Sequence, residues 1–407
     1  MDSDAEATEL TSRLVSIEST DPGTYEADVE GFVRSWLDEH IALAGKLAPE
    51  VRIEELEALP GRSCLRATIP ARGDAGAIST QATDCPSDLS ILCHMDTVRE
   101  GAGWSEKTPA FSPTLIGDEL YGRGSCDMKG GLACGMLAFS DALAEVGRRG
   151  ELPRKSVSLV CTVDEEDLMR GSEAAIRAGW LGHSGWVMDL EPTGGAARGS
   201  HKGRTWFIVK MHGVTAHAST PWRGADAIVA AAEVITRVRA EVSAMPAHPE
   251  LGFSTVTFGQ IRGGYSPYVV PDECAFTIDL RLVPPTTTTD ARALIEGAIR
   301  DAEKAVPGAH GELECTGDRP AIVLPQSSEL LRALSAACEK VTGKAVETDV
   351  FTGYTDSAVV AGTCNNPECL SYGPGDLELA HKPNERVPVA DLARVRAVVS
   401  QLVTDLF

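Results

Sequence analysis

Apolar positions recur along this chain at two spacings. Leu10, Leu14 and Ile17 fall four and three residues apart, as on one face of a helix, and Asp21-Pro22-Gly23 ends that helix. A second helix is predicted from about Tyr25 to Leu43. Residues 60–98 read as strands around a polar, glycine-containing loop near Arg72 to Asp88. Gly130 to Val146 has helical spacing, and Gly147 is expected to stop it. Ser156 to Val163 is apolar at most positions, as a strand buried on both faces is, and Trp186 opens a second such run. Strands alternating with helices in this way predict an α/β unit with a mostly parallel sheet.

The pattern changes after Gly199. Thr205 to His212 alternates with period two, and Ala225 to Ala240 is helical, with Ile228, Ala231, Ala232, Ile235 and Val238 on one side. Phe253 to Ile261 and Glu273 to Val283 read as strands. Pro284, Pro285 and Thr286 to Thr289 make a loop, Asp290 to Val306 a helix, and His310 to Cys315 a last short strand. This βαββαβ order predicts a ferredoxin-like α+β domain inserted into the α/β one. The expected domains are 1–201 and 316–407 for the two parts of the first, and 202–315 for the insert. No internal repeat or heptad pattern is apparent.

With 407 residues, 43% hydrophobic and 24% charged, the chain suits one large or two moderate domains with cores of their own. A net charge of −22 argues against nucleic acid and against an anionic membrane surface as partners, and serves solubility. Met1 to Glu6 is acidic and polar, without the basic and apolar segments of a signal peptide, and no apolar run reaches membrane-spanning length. The 11 cysteines include no C-x-x-C pair, and Cys93, Cys134 and Cys161 sit in apolar runs. The expectation is a cytoplasmic protein with reduced thiols, Cys364 and Cys369 included. Cys126 could be a nucleophile in principle, but no histidine motif accompanies it locally.

The chemistry gathers at strand ends. His94 closes an apolar run, with Asp96 two residues on; alternation along a strand would set the carboxylate beside the imidazole and fix its tautomer. Asp127 lies in the glycine-punctuated loop Gly122 to Gly131. The run 156–163 ends in Asp164-Glu165-Glu166-Asp167, four acids that repel one another unless something positive sits among them. Asp189 and Glu191 end the next apolar run, and Asp376 and His381 follow near the end. Ligands of α/β proteins bind at the carboxyl ends of strands, and carboxylates with neutral imidazoles suit zinc or a similar divalent ion.

In this order, HMDTV, GRGSCDMKGG, TVDEE, LEPT, GVTAHASTPWRGADA, IDLR and GPGDLELAHKPNE resemble the M20 metallopeptidases, which include acetylornithine deacetylase, succinyl-diaminopimelate desuccinylase, aminoacylase-1 and glutamate carboxypeptidase. The resemblance covers about residues 90 to 390. It implies a two-metal site. His94 and Glu191 would hold one ion, Glu166 and His381 the other, and Asp127 would bridge them. Asp96 would orient His94, and Glu165 would be the general base. The family's acid usually precedes Pro-Thr or Pro-Ser, which favours Glu191, with Asp189 the alternative. Asp164 and Asp167 are expected to be ordinary solvated loop acids. The ions would be zinc, with cobalt or manganese as alternatives.

The same resemblance makes the insert a lid that dimerises. His217, in the small-residue turn Gly213 to Ser219, would bind the substrate carbonyl in the other subunit of a homodimer. Arg281 would grip a substrate carboxylate; a salt bridge to Asp279 is the alternative. Tyr268 stands where the family often has a substrate-binding asparagine, and the segment Phe351 to Ser357, with Thr355, is a variant of another family loop assigned to substrate binding. The remaining histidines are expected to be surface or core filler. The implied activity is hydrolysis of the amide bond of an N-acyl amino acid. A dipeptidase or carboxypeptidase acting on short peptides is the alternative of the same kind. A catalytically silent binding or dimerisation protein is the alternative of another kind.

Overall fold

The computed structural model describes residues 3–73 and 87–407, so most of the polar loop expected near Arg72 to Asp88 lies outside the described residues. The chain forms two compact units. One comprises Met1–Gly199, Leu324–Asp349 and Thr355–Phe407, and the other Ser200–Val323 with Val350–Tyr354.

The first unit is built on a sheet whose successive strands are Arg52–Leu59, Arg62–Ile69, Val157–Thr162, Leu89–His94, Trp186–Asp189 and Cys369–Ser371; Ala197–His201 and Thr348–Phe351 complete its eight strands. Every residue of Val157–Thr162 and Leu89–His94 is buried, which is why these stretches read as apolar runs without alternation. The four strands from Val157–Thr162 to Cys369–Ser371 run parallel to one another. The strands on one flank, and the pairing of Ala197–His201, are antiparallel. The sheet is therefore mixed and not mostly parallel, because the hairpin from Arg52 to Ile69 reverses the chain before the helix-connected strands begin.

Two helices bear on the site. Lys129–Arg149 packs against Val389–Thr404 and against the strand that ends at His94. It does not stop at Gly147, as the sequence suggested. A Cβ at Gly147 would lie 2.1 Å from the Leu43 carbonyl oxygen, so this glycine permits close packing, and Gly150, at φ 68°, ends the helix instead. At its start, a Cβ on Gly131 would lie 2.1 Å from the Leu190 carbonyl oxygen. Only glycine lets the helix entered just after Asp127 come so close to the strand end that carries Glu191.

A small antiparallel sheet of Thr114–Ile116, Glu119–Tyr121 and Arg386–Pro388 was not legible as strands. It places Glu385 beside the 122–127 loop, where the Gly122 amide donates to the Glu385 carbonyl at 3.0 Å.

The second unit has the strand order Thr255–Thr257, Glu273–Leu282, Gly203–His212, His310–Arg319, antiparallel throughout, with Ile261–Gly263 also paired to Glu273–Leu282. Helices Ala227–Ser243 and Thr288–Ala305 pack on the sheet face that presents Phe207, Val209, Met211, Phe276 and Ile278. Burial alternates along Gly203–His212 and Glu273–Leu282, as a sheet covered on one face requires. The single strand expected over Phe253 to Ile261 is two short ones. Between them the Gln260 amide donates to the Thr277 hydroxyl at 3.0 Å, a side-chain bond in place of a ladder bond. The last strand runs beyond Cys315 to Arg319 through an irregularity between Cys315 and Gly317. That bulge carries the strand past Cys315, where the sequence reading ended it.

Candidate metal centre

His94, Glu165, Glu166 and Glu191 all sit at or just after the carboxyl ends of neighbouring parallel strands. Asp127 lies two residues before the helix Lys129–Arg149, and His381 follows the short turn Leu377–Leu379. His94 Nε2 lies 3.2 Å from Asp127 Oδ1, 3.7 Å from Glu191 Oε1 and 4.0 Å from Glu165 Oε2. His381 Nε2 lies 2.8 Å from Glu166 Oε2 and 3.4 Å from Asp127 Oδ2. Two ligand groups result, His94 with Asp127 and Glu191, and Asp127 with Glu166 and His381, each with donor atoms within 4.8 Å of one another. They share Asp127, which turns one oxygen toward each, consistent with a dinuclear site. Asp189 belongs to neither group. Its Oδ2 accepts from the Ser357 amide at 2.9 Å inside the unit.

Asp96 works differently from the simple alternation argument. His94 Nδ1 bonds the backbone carbonyl of Asp96 at 3.0 Å, while the Asp96 carboxylate stands 3.6 Å from that nitrogen. The carboxylate accepts instead from the amides of Glu165 at 3.2 Å and Glu166 at 3.0 Å. It thus ties the acidic turn to the end of the neighbouring strand.

The electrostatics show an excess of negative charge. Burial pushes the Glu165 carboxyl well above the usual carboxylate range, His94 opposes this, and Asp356, Glu166 and Asp127 add to it. Burial, then Asp127, does the same to Glu191. Burial raises Asp96 to about 7. On His94, burial disfavours the charge, but the bond to Asp127 and the surrounding carboxylates outweigh it and raise the imidazole well above its normal range. Bonds to Asp127 and Glu166 raise His381 to about 11. In return His381 and His94 overcome the burial of Asp127 and hold its carboxyl below the ordinary value. Glu166 Oε1 is buried with no hydrogen-bond partner. An orphaned carboxylate oxygen beside two imidazoles and further buried acids is a donor set that fits divalent cations.

A third acidic group, Asp21, Glu26 and Asp96, lies behind the turn. Its positive charge comes from Arg62, which donates to Asp21 at 2.6 Å, to both oxygens of Glu26 and to Asp164 at 3.3 Å. Asp164 is therefore not a solvated loop acid. It is fully buried, held by Arg62 and Arg170, and at φ 68° it turns the chain from the strand into Glu165 and Glu166. Asp167 is half exposed and pairs with Arg170.

Sequence reasoning assigned no role to Arg123 and Glu385, although both lie inside recognised motifs. The buried Arg123 guanidinium donates to Glu385 Oε2, and Glu385 Oε1 accepts from the amides of Cys126 and Asp127 at 3.0 Å each. The pair fixes the backbone that presents Asp127. Cys126 is buried and its thiol is pushed well above the normal range by that burial, so it is no nucleophile. Thr355 is 1% exposed and caps the helix Asp356–Cys364, its hydroxyl accepting from the Ala358 amide at 3.3 Å; it lines no surface.

In the second unit, Ala218 donates to the Tyr268 carbonyl at 3.0 Å and Val270 to the Ala216 carbonyl at 2.9 Å, so the His217 turn and the Tyr268 loop lie side by side. His217 Nδ1 accepts from the Ser219 amide at 3.1 Å, which leaves the proton of a neutral ring on Nε2. The Tyr268 side chain is 73% exposed. Arg281 grips Asp279 with Nε at 2.8 Å and Nη2 at 3.1 Å, the salt bridge that was the alternative for this residue.

A family model described as peptidase family M20/M25/M40 matches residues 91–405. The chain belongs to this family. Among curated M20 relatives, acetylornithine deacetylase of Myxococcus xanthus is 28% identical over 320 residues, 77% of this chain and 79% of that one. Succinyl-diaminopimelate desuccinylase of Rhodopseudomonas palustris is 26% identical over 343 residues, 81% and 84% of the two chains. Among solved structures, an aminopeptidase of Bacillus cereus superposes with a TM-score of 0.74 at 21% identity, covering 99% of this chain and 98% of that one, a likeness of fold. An M20 metallo-carboxypeptidase of Sulfolobus solfataricus does so at 0.69 and 16%, covering 98% of each. Metal-dependent amidohydrolysis is typical of this family. No helix among the described residues is long and apolar enough to cross a membrane, and the ten described cysteines are free thiols, Cys364 and Cys369 among them.

Replacing Arg123 with Ala leaves the Glu385 carboxylate buried without its countercharge. The expected cost is about 3–5 kcal/mol of stability, as for other broken buried ion pairs. Denaturant unfolding of Arg123→Ala against wild type measures it, and a loss under ~1 kcal/mol contradicts the role given to the pair.

Proposed function

We propose that this M20 protein hydrolyses the amide bond of an N-acyl amino acid at a dinuclear metal site. The observation that carries the reading is Asp127, shared by two histidine–carboxylate groups, with the Glu165 carboxylate beside them but in neither. His94, Asp127 and Glu191 would hold one divalent ion, and Asp127, Glu166 and His381 the other, zinc being the ion this donor set suits, with cobalt and manganese as alternatives. Such a pair polarises a carbonyl and lowers the pKa of a water.

Glu165 is the general base in this reading. Its carboxylate takes a proton from the attacking water as the C–O bond forms and the carbonyl oxygen becomes an oxyanion, then gives that proton to the amide nitrogen as the C–N bond breaks and the amine leaves. Burial raises its proton affinity, which strengthens it as a base. Asp96 holds the Glu165 and Glu166 amides, and Asp164 with Arg62 holds the same turn from behind. His217 presents Nε2–H as a donor to the developing oxyanion, a contact typically worth about 2.7–4 kcal/mol. In line with the family resemblance, we assign the second unit as a lid that dimerises, with His217 serving the partner's site. Arg281 would offer a substrate carboxylate the N–H groups that Asp279 leaves over.

Three tests follow from this reading. Glu165→Gln retains bound metal and loses about 10²–10⁴-fold in kcat, whereas Glu166→Gln loses metal; elemental analysis beside turnover checks both, and the reverse pattern would exchange the two glutamates. Mixing inactive His217→Ala with inactive Glu165→Gln protein restores part of the activity, because one site of the heterodimer then has both groups intact; verified heterodimers without recovery rule out the shared site. A screen of N-acetyl, N-succinyl and dipeptide substrates, reading released amine, separates deacylase from peptidase. Within it, the exposed phenol of Tyr268 favours N-acetyl-methionine or N-acetyl-phenylalanine over N-acetyl-ornithine. A wild type that prefers the ornithine compound, unchanged in Tyr268→Asn, removes Tyr268 from specificity.

A further inference from the structure

The second unit carries a separate group of metal-ligating side chains that the proposed reaction does not use. His212 ends the strand Gly203–His212 and stands directly opposite His310, the first residue of the edge strand His310–Arg319. Directly opposed residues of an antiparallel pair share a face, and so do residues two apart, which adds Glu312 to the same patch. The two imidazoles stack with centroids 4.8 Å apart and planes 20° from parallel. Glu312 Oε1 lies 3.8 Å from His212 Nε2, and one donor atom from each of the three residues falls within 4.8 Å of the others.

Stacking alone does not account for this arrangement. His212 Nε2 is shut off from solvent and has no hydrogen-bond partner. At 3.8 Å the Glu312 oxygen is too far to bond it. An imidazole nitrogen left in that condition costs free energy unless something occupies the space between it and the carboxylate. His310 and Glu312 are exposed, on a strand that among the described residues pairs with Gly203–His212 alone.

We propose that His212, His310 and Glu312 bind a divalent cation, at a site apart from the dinuclear centre and independent of its function. Two imidazoles and one carboxylate suit zinc or a similar borderline metal, with the remaining position open to water, and do not suit magnesium or calcium, which take oxygen ligands. A bound ion would join two adjacent strands of the sheet and pin the edge strand to its neighbour.

The test uses the full chain, stripped of metal by chelator and then equilibrated with excess Zn²⁺ by dialysis, with metal and protein measured together. The wild type binds one more zinc per chain than His310→Ala and one more than His212→Ala, while both variants keep the hydrolytic rate of wild type. Glu166→Gln, whose defect lies in the dinuclear centre, still loses one further zinc when His310→Ala is added. Mg²⁺ at the same concentration does not fill the extra site. Equal zinc stoichiometry in wild type and in both histidine variants overturns the proposal, as does an extra ion that neither substitution removes. His310→Gln, which keeps a polar side chain on this exposed edge, is expected to match His310→Ala; if it alone retains the ion, the histidine is not a ligand and the proposal fails. A dinuclear centre that proves empty would lower the counts of all these proteins equally and leave the difference intact.

Discussion

The constraint that governs the first unit is the confinement of the Asp96, Asp127, Glu165, Glu166 and Glu191 carboxylates around the buried imidazole of His94, with the half-exposed imidazole of His381 at their edge. Two imidazoles cannot balance that many carboxylates, and burial weakens the screening that water would supply. The protein answers in layers. Arg62 and Arg170 neutralise the acids behind the turn, and Arg123 neutralises Glu385 beneath Asp127. Backbone amides satisfy Asp96 and Glu385. The inner carboxylates that remain face one another across the space between the histidines, which is the demand a pair of cations meets.

Rigidity of the site comes from where its members are fixed. His94, Glu165, Glu166 and Glu191 stand on the ends of parallel strands whose neighbours hold them in register, with His94 opposite Thr162 and Leu92 opposite Asp189. Asp127 is carried by a loop instead, and the loop is compensated. Glu385 takes the amides of Cys126 and Asp127, and Gly131 lets the following helix close on Leu190. A site of this kind loses little conformational freedom when its ligands engage.

Much of this was legible because local pattern and burial coincide. The strands ending at His94 and Thr162 are buried on both faces and therefore read as unbroken apolar runs, and the acids that follow them were conspicuous. Period-two alternation marked Gly203–His212 and Glu273–Leu282 because helices cover one face only. What escaped depended on distant partners. Asp164 resembles its exposed neighbour Asp167 in sequence, and it is a buried pivot because Arg62, 102 residues away, joins the nearby Arg170 in pairing with it. Thr355 sits in a loop-like stretch, yet its side chain is turned inward as a helix cap. Gly147 has the composition of a helix stop but serves a close approach to Leu43 that no local pattern reports.

The pairing of Arg123 with Glu385 spans 262 residues, and the whole second unit lies between them in the chain. A ribosome therefore delivers the guanidinium, the Asp127 loop and three of the four strand ends of the parallel core long before the carboxylate that locks them. Contacts of such sequence separation are slow to form and are reached late in folding. The inserted unit, whose strands and helices are continuous from Gly203 to Arg319, has no such wait. The order of synthesis thus gives the intervening unit the chance to fold while its host is still open, and makes closure of the first unit the event that completes the protein.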